Sequence, residues 1–211
     1  MADAAQPRLV LATRNAGKLR ELRDLLRGTV PGLDVDTQVI DAAAAGAPDV
    51  VESGVSFQEN ALLKAEQTAR ATGLVAVADD SGLAVDVLGG APGIFSARWA
   101  GTHGDDTANL ELLLAQLADI PAEYRGAGFV CAAALAHPPD AAGSSHVESG
   151  RLDGRLLGAP RGTAGFGYDP ILVPKGLDRS CAELSPEEKN AISHRGIAFR
   201  ALLPHLVRAL A

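Results

Sequence analysis

Two hydrophobic periods divide this chain. The apolar stretch "RLVLAT" (8–13) predicts a short strand, and "KLRELRDLLRG" (18–28) then repeats leucine at helical spacing through Leu19, Leu22, Leu25 and Leu26. Gly28 stands where that helix should stop. Pro31-Gly32 marks a turn, "LDVDTQVI" (33–40) reads as a second strand, and the small, acidic residues 41–55 read as a loop. "SFQENALLKAEQTARATG" (56–73) predicts a helix stopped by Gly73. "LVAVAD" (74–79) is almost unbroken in apolar residues, as in a strand covered on both faces.

The alternation continues to the end of the chain. "LGGAPG" (88–93) is turn chemistry, and "DTANLELLLAQLADI" (106–120) is a helix ended by Pro121. "GFVCAAALA" (128–136) predicts an interior strand, "HPPDAAGSSH" (137–146) a loop or hairpin tip, and "HVESGRLDGRLL" (146–157) short strands broken by glycines. "GTAGFGYDPILV" (162–173) is a glycine-rich loop entering a strand. "SPEEKNAISHRGIAFRALLPHLVRAL" (185–210) is mainly helical, with Ser185 and Glu188 as a capping box, Pro186 at the first position and Pro204 set to bend or split it. Alternating helices and strands give an α/β class.

The chain has 211 residues and is 47% apolar, enough for one domain or two closely packed lobes. The expected division is a flexible N-terminus over 1–7 and a single α/β domain over 8–211. A net charge of −7 argues against nonspecific binding to nucleic acid or anionic membranes. Cys131 and Cys181 are too far apart in sequence for a CxxC pair, so a disulfide framework or zinc site is not expected and a reducing cytoplasm fits. "MADAAQPR" lacks a basic, apolar targeting signal, and no run reaches the ~18 apolar residues of a membrane span.

Several stretches carry candidate chemistry. "TRNAGK" (13–18) places a small-residue loop between a strand and a helix start, where backbone N–H groups and Lys18 could receive a phosphate. It fails the P-loop pattern, which needs glycine at position 12 and Ser or Thr at 19, where Ala12 and Leu19 stand; a plain strand-to-helix turn with a surface lysine is the alternative. Lys64 lies about 20° from Phe57 on a helical wheel, beside the apolar face marked by Phe57, Ala61 and Ala65. It could snorkel, or meet an anion. Glu52 could reach a metal from the preceding loop. Asp79-Asp80 follow the apolar run directly, and Ser81-Gly82 predict a turn there that would let one acid bind a cation while the other holds a neighbour. A magnesium ion takes one or two carboxylates and leaves other positions to water and phosphate. The Asp-x-Asp spacing of haloacid-dehalogenase-type phosphatases is absent, and a capping role is the bland alternative. "AGFGYDP" (164–170) offers Phe166 and Tyr168 for stacking or for the core, and "KNAISHR" (189–195) groups Lys189, His194 and Arg195 as donors.

Together "LATRNAGKLREL", "SFQENALLKA", "ADDSGLAVDVLGGAPGIFSARWAG", "GFGYDPIL" and "EEKNAISHRG" resemble the inosine/xanthosine triphosphate pyrophosphatase family of non-canonical purine nucleotide hydrolases. The resemblance runs from about residue 8 to the C-terminus, with the motifs in order. It implies an elongated central mixed sheet flanked by helices, two lobes with the active site in a cleft, and a cytoplasmic homodimer. It implies hydrolysis of ITP, dITP and XTP to the monophosphate and pyrophosphate with Mg²⁺. Thr13, Arg14, Asn15, Ala16, Gly17 and Lys18 would form the triphosphate loop, helped by Lys64. Arg14 stands where the family usually has glycine. Glu52 and Asp80 would hold magnesium, Asp80 would accept the proton of the attacking water at a pKa pulled down by the ion, and Asp79 would support both. Ser81 and Gly82 would meet the phosphates. Phe166, Gly167, Tyr168 and Asp169 would form the base and ribose wall, and Lys189, His194 and Arg195 would read the purine. The alternatives are a nucleotide sensor that binds without turnover and a pyrophosphatase for other nucleotides.

Overall fold

The computed structural model describes residues 6–211. Its strands are β1 (Leu9–Leu11), β2 (Val39–Asp41), β3 (Val75–Val85), β4 (Gly126–Ala136), β5 (His146–Leu156) and β6 (Leu172–Pro174). Its α-helices are α1 (Ala16–Leu26), α2 (Val35–Gln38), α3 (Phe57–Thr72), α4 (Asp106–Gln116), α5 (Pro186–Ile192) and α6 (His194–Leu210). The strands form one mixed sheet in the order β2-β1-β3-β4-β5-β6. β1 runs parallel to β2 and β3, with Leu9 opposite Val39 and Val75, while β5 and β6 are antiparallel. Parallel neighbours need crossovers, which α1 and α3 supply. The class is α/β, as the alternation predicts.

The chain forms two compact units. Unit one takes the residues up to Asp80, Ala132–Ser149 and Ala198–Ala211. Its core packs Ala61, Ala65 and Ala69 of α3 against Val10, Ala76, Ala78, Ala132, Ala134 and Ala136, all essentially inaccessible to solvent. Alanine on both surfaces brings helix and sheet backbones close, which explains the low aromatic content. Unit two takes Ser81–Cys131 and Gly150–Ile197. Its core is bulkier: Leu83, Leu113, Leu117, Phe129, Leu156, Ile171 and Leu172. Each such buried side chain contributes about 1.5–3 kcal/mol by leaving water.

Helix boundaries follow local chemistry. The Ser56 side chain accepts the Glu59 N–H to start α3, and Gly73 ends it at φ 68°. Ser185, Glu188 and Pro186 start α5 as a reciprocal capping box. Of the expected flexible N-terminus, residues 1–5 lie outside the described residues.

Four elements differ from expectation. Residues 33–40 hold α2 and only the start of β2, because the Asp34 carboxylate accepts the Asp36 N–H and begins a helical turn. β3 does not turn at Ser81-Gly82 but continues to Val85. β5 is one continuous strand in which Gly154 sits opposite Pro174. A Cβ on Gly154 would lie 2.2 Å from the Val173 carbonyl oxygen, so this glycine permits a close strand approach. The C-terminal helix breaks at Ser193, which is extended (ψ 143°), while Pro204 stays inside α6.

Candidate functional site

The continuation of β3 decides what its acids do. Side chains on an extended strand alternate between faces, so Asp79 and Asp80 separate. Both Asp79 oxygens accept from Lys18 Nζ, at 2.9 and 2.8 Å. That carboxylate is 2% exposed. Asp80 Oδ1 meets Lys64 Nζ at 3.3 Å, and the same Nζ donates to Glu52 Oε1 at 2.9 Å. Asp80 Oδ2 accepts from Asn60 Nδ2 at 3.2 Å. The expected premise of acids at a strand exit is therefore corrected. They lie within a strand, and each is balanced by a lysine from a different helix.

Burial pushes the Asp80 carboxyl above its ordinary range; Lys64 opposes this and Glu52 adds to it. Burial also pulls the Lys64 ammonium down, but Asp80 and Glu52 outweigh it and the net shift is upward. Lys64 is thus a firmly charged ammonium holding two carboxylates. The lowered Asp80 pKa expected beside a metal ion is not what these side chains alone produce, because desolvation exceeds the pull of one lysine.

Glu52 and Asp80 are the residues that could hold a magnesium ion. Glu52 Oε1 and Asp80 Oδ1 converge on one point, now marked by Lys64 Nζ. Among the described residues no group of three or more His, Cys, Asp or Glu forms a metal cluster. Two hard oxygen donors suit an ion completed by phosphate and water, not one in a closed protein cage.

The early loop is placed differently from expectation. The Asn15 side-chain oxygen already accepts the N–H groups of Gly17 (2.8 Å) and Lys18 (3.3 Å), so those helix-start donors are occupied. Thr13 Oγ1 accepts the Asn15 N–H. Arg14 pairs on the surface with Asp49 at 2.8 Å. Ala16 opens α1, and its side chain lies outside the described residues. Ser81 is half-buried and Gly82 buried, both inside β3.

Unit two carries a second cluster. Asp169 Oδ2 accepts the Phe166 N–H at 2.9 Å and Lys189 Nζ at 2.5 Å. Lys189 Nζ also lies 5.3 Å from the Phe166 ring centroid. Phe166 is 61% exposed, an aromatic face held open to solvent. Tyr168 instead points into the core, donates to the Ser96 carbonyl at 2.9 Å, and has its hydroxyl pKa raised by burial and by Asp106. Gly167 N–H is held by Asp106 Oδ2 at 2.8 Å. His194 and Arg195 are buried to 9% exposure, and the His194 ring stacks on Phe129 at 5.1 Å. The structure thus gathers Phe166, Gly167, Asp169 and Lys189 closely.

Two contributors escaped the sequence reading. Asn60 stands four residues before Lys64, next to Ala61 on the buried stripe; a polar residue there needs partners, and that was its signal. Asp106 reads as a helix-start acid, with nothing local to link it to Gly167.

A sequence profile of the Ham1 family matches residues 9–205. The chain belongs to the Ham1 family. A dITP/XTP pyrophosphatase of Streptomyces coelicolor is 66% identical to this Ham1 chain over 203 residues, covering 96% of this chain and 98% of that one. A dITP/XTP pyrophosphatase of Mycobacterium tuberculosis is 52% identical over 205 residues, covering 97% of each. A HAM1 protein structure from Coxiella burnetii superposes with TM-score 0.85 at 40% identity, covering 96% of this chain and 99% of that one. The Ham1 fold is therefore shared at the level of chain path as well as sequence.

Proposed function

We propose that this chain hydrolyses non-canonical purine nucleoside triphosphates (ITP, dITP and XTP) to the monophosphate and pyrophosphate, as a magnesium-dependent homodimer in the cytoplasm. The observation that carries the reading is the Glu52–Lys64–Asp80 cluster: two carboxylates gathered on one ammonium suited to phosphate. The relatives named dITP/XTP pyrophosphatase supply the substrate class.

Lys64 and Lys18 bind phosphate oxygens and offset their charge, with Asn15 and Thr13 shaping the loop that carries Lys18. Glu52 and Asp80 would hold a magnesium ion, which would neutralise phosphate charge when bound. Asp80 accepts the proton of a water whose oxygen bonds to the α-phosphorus. The bond from that phosphorus to the bridging oxygen breaks, and pyrophosphate leaves with the electron pair. Asp79 holds the Lys18 ammonium in place.

Phe166 supplies a stacking face for the base, and Asp169 fixes both its backbone and Lys189. Lys189, His194 and Arg195 provide donors for the keto oxygen at position 6 of hypoxanthine and xanthine. Adenine presents an amino group there, and opposing donors are worth several powers of ten in discrimination.

Pyrophosphate release measured across ITP, dITP, XTP, GTP and ATP, with and without magnesium, tests the reading. Turnover of the first three with magnesium, and little of ATP, is expected. Equal turnover of ATP contradicts the base assignment. Tight dITP binding with no pyrophosphate would identify a sensor instead.

A further inference from the structure

We propose that Asn60 is a positioning residue for hydrolysis, a buried amide that ties the Glu52 loop to the Asp80 carboxylate. This rests on the hydrolytic reading of Asp80 above. Asn60 lies in the first turn of α3 at 1% exposure, where an asparagine is a poor helix former and an unbonded amide is costly. Its oxygen accepts the Gly54 N–H at 2.8 Å. A backbone N–H can only donate, so this bond fixes the amide orientation and turns its NH₂ toward Asp80 Oδ2, at 3.2 Å.

Lys64 lies one turn later on the same helical face. It holds Glu52 of the loop and the other oxygen of Asp80. Two consecutive turns of α3 therefore each grip the loop once and the carboxylate once. Carboxylate torsions are broad when unconstrained; here both oxygens are held. Gly54 is part of the device, since a Cβ there would lie 2.7 Å from Asn60 Oδ1 and 2.7 Å from Glu59 Cβ. A substituent on Gly54 would press on both the Asn60 amide and Glu59.

The test combines steady-state turnover of dITP with magnesium and amide hydrogen exchange at Gly54, for wild type, Asn60→Ala, Asn60→Asp, Gly54→Ala and the Gly54→Ala/Asn60→Ala pair. Outer partners of this kind are worth about 10–100-fold in activity. The expected result is that loss in kcat for Asn60→Ala, with KM within about threefold, and faster exchange at Gly54. Asn60→Asp should lose at least as much, since it sets an acceptor against Asp80. The double variant should lose less than the sum of the two single losses, because part of the Gly54→Ala effect acts through Asn60. Wild-type kcat in folded Asn60→Ala, additive losses in the double variant, or unchanged Gly54 exchange would overturn the proposal. Should Asn60→Ala not fold, Gly54→Ala carries the kcat test. Failure of the wild type to release pyrophosphate would defeat the hydrolytic reading, and with it the catalytic sense of the proposal, whatever Gly54 exchange shows.

Discussion

At the scale of single residues, charge placement dominates. Burial opposes the charge on Asp80, and Lys64 and Asn60 offset that cost. An acid whose pKa is raised by folding holds its proton better folded than unfolded. Its contribution favours the fold below the unfolded pKa near 4 and is lost as pH rises through the folded value. Asp80→Asn should therefore melt at a higher temperature than wild type at pH 7.5 in magnesium-free buffer, with the gap closing toward pH 4. A lower melting temperature at pH 7.5 would show that the ion pair outweighs desolvation. Cys181 gives a second readout. Burial, with Asp169 adding and Lys189 opposing, pushes its thiol up to about 12. Alkylating reagents act on the thiolate, so at pH 8 Cys181 should stay unlabelled in native protein and react on unfolding. Rapid native labelling would mean that the 165–169 loop opens.

At the scale of elements, glycines set the positions of the functional loops. Gly165 has φ 79°, and a Cβ there would lie 2.1 Å from Asp169 Oδ2. Gly165→Ala should therefore disturb the carboxylate that holds Phe166 and Lys189. The expected outcome is a raised KM for dITP with a smaller change in kcat; unchanged kinetics would separate this loop from substrate binding. Local chemistry made several elements legible in the sequence: the Ser185–Glu188 box, the Gly73 stop and the alanine face of α3 all act within a few residues. What was not legible depends on distant partners. Asp79-Asp80-Ser81-Gly82 reads as a turn because acids and glycine are poor strand formers; Lys18 and Lys64, from α1 and α3, are what let the strand continue. Gly154 reads as a break because its reason for being glycine, the Val173 carbonyl, lies 19 residues further on. Of the candidate site, the acids, lysines and Phe166 were visible as residue types, while the pairing of Asp79 with Lys18 and of Asp80 with Lys64 was not.

At the scale of the whole molecule, each compact unit carries one coherent set of groups: lysines and carboxylates in unit one, an exposed aromatic with its acid and lysine in unit two. Among the described residues no helix is long and apolar enough to cross a membrane. The proposed homodimer is tested by light scattering at micromolar concentration, where twice the 21.6 kDa chain mass is expected and a monomer mass would contradict it. The proposed hydrolysis depends on Asp80 acting as proton acceptor. Single-turnover pyrophosphate release from dITP with magnesium, comparing wild type with Asp80→Asn, measures this most directly. A loss of about 10²–10⁴-fold in rate, with dITP binding retained, is the predicted result; near-normal release by Asp80→Asn would contradict it.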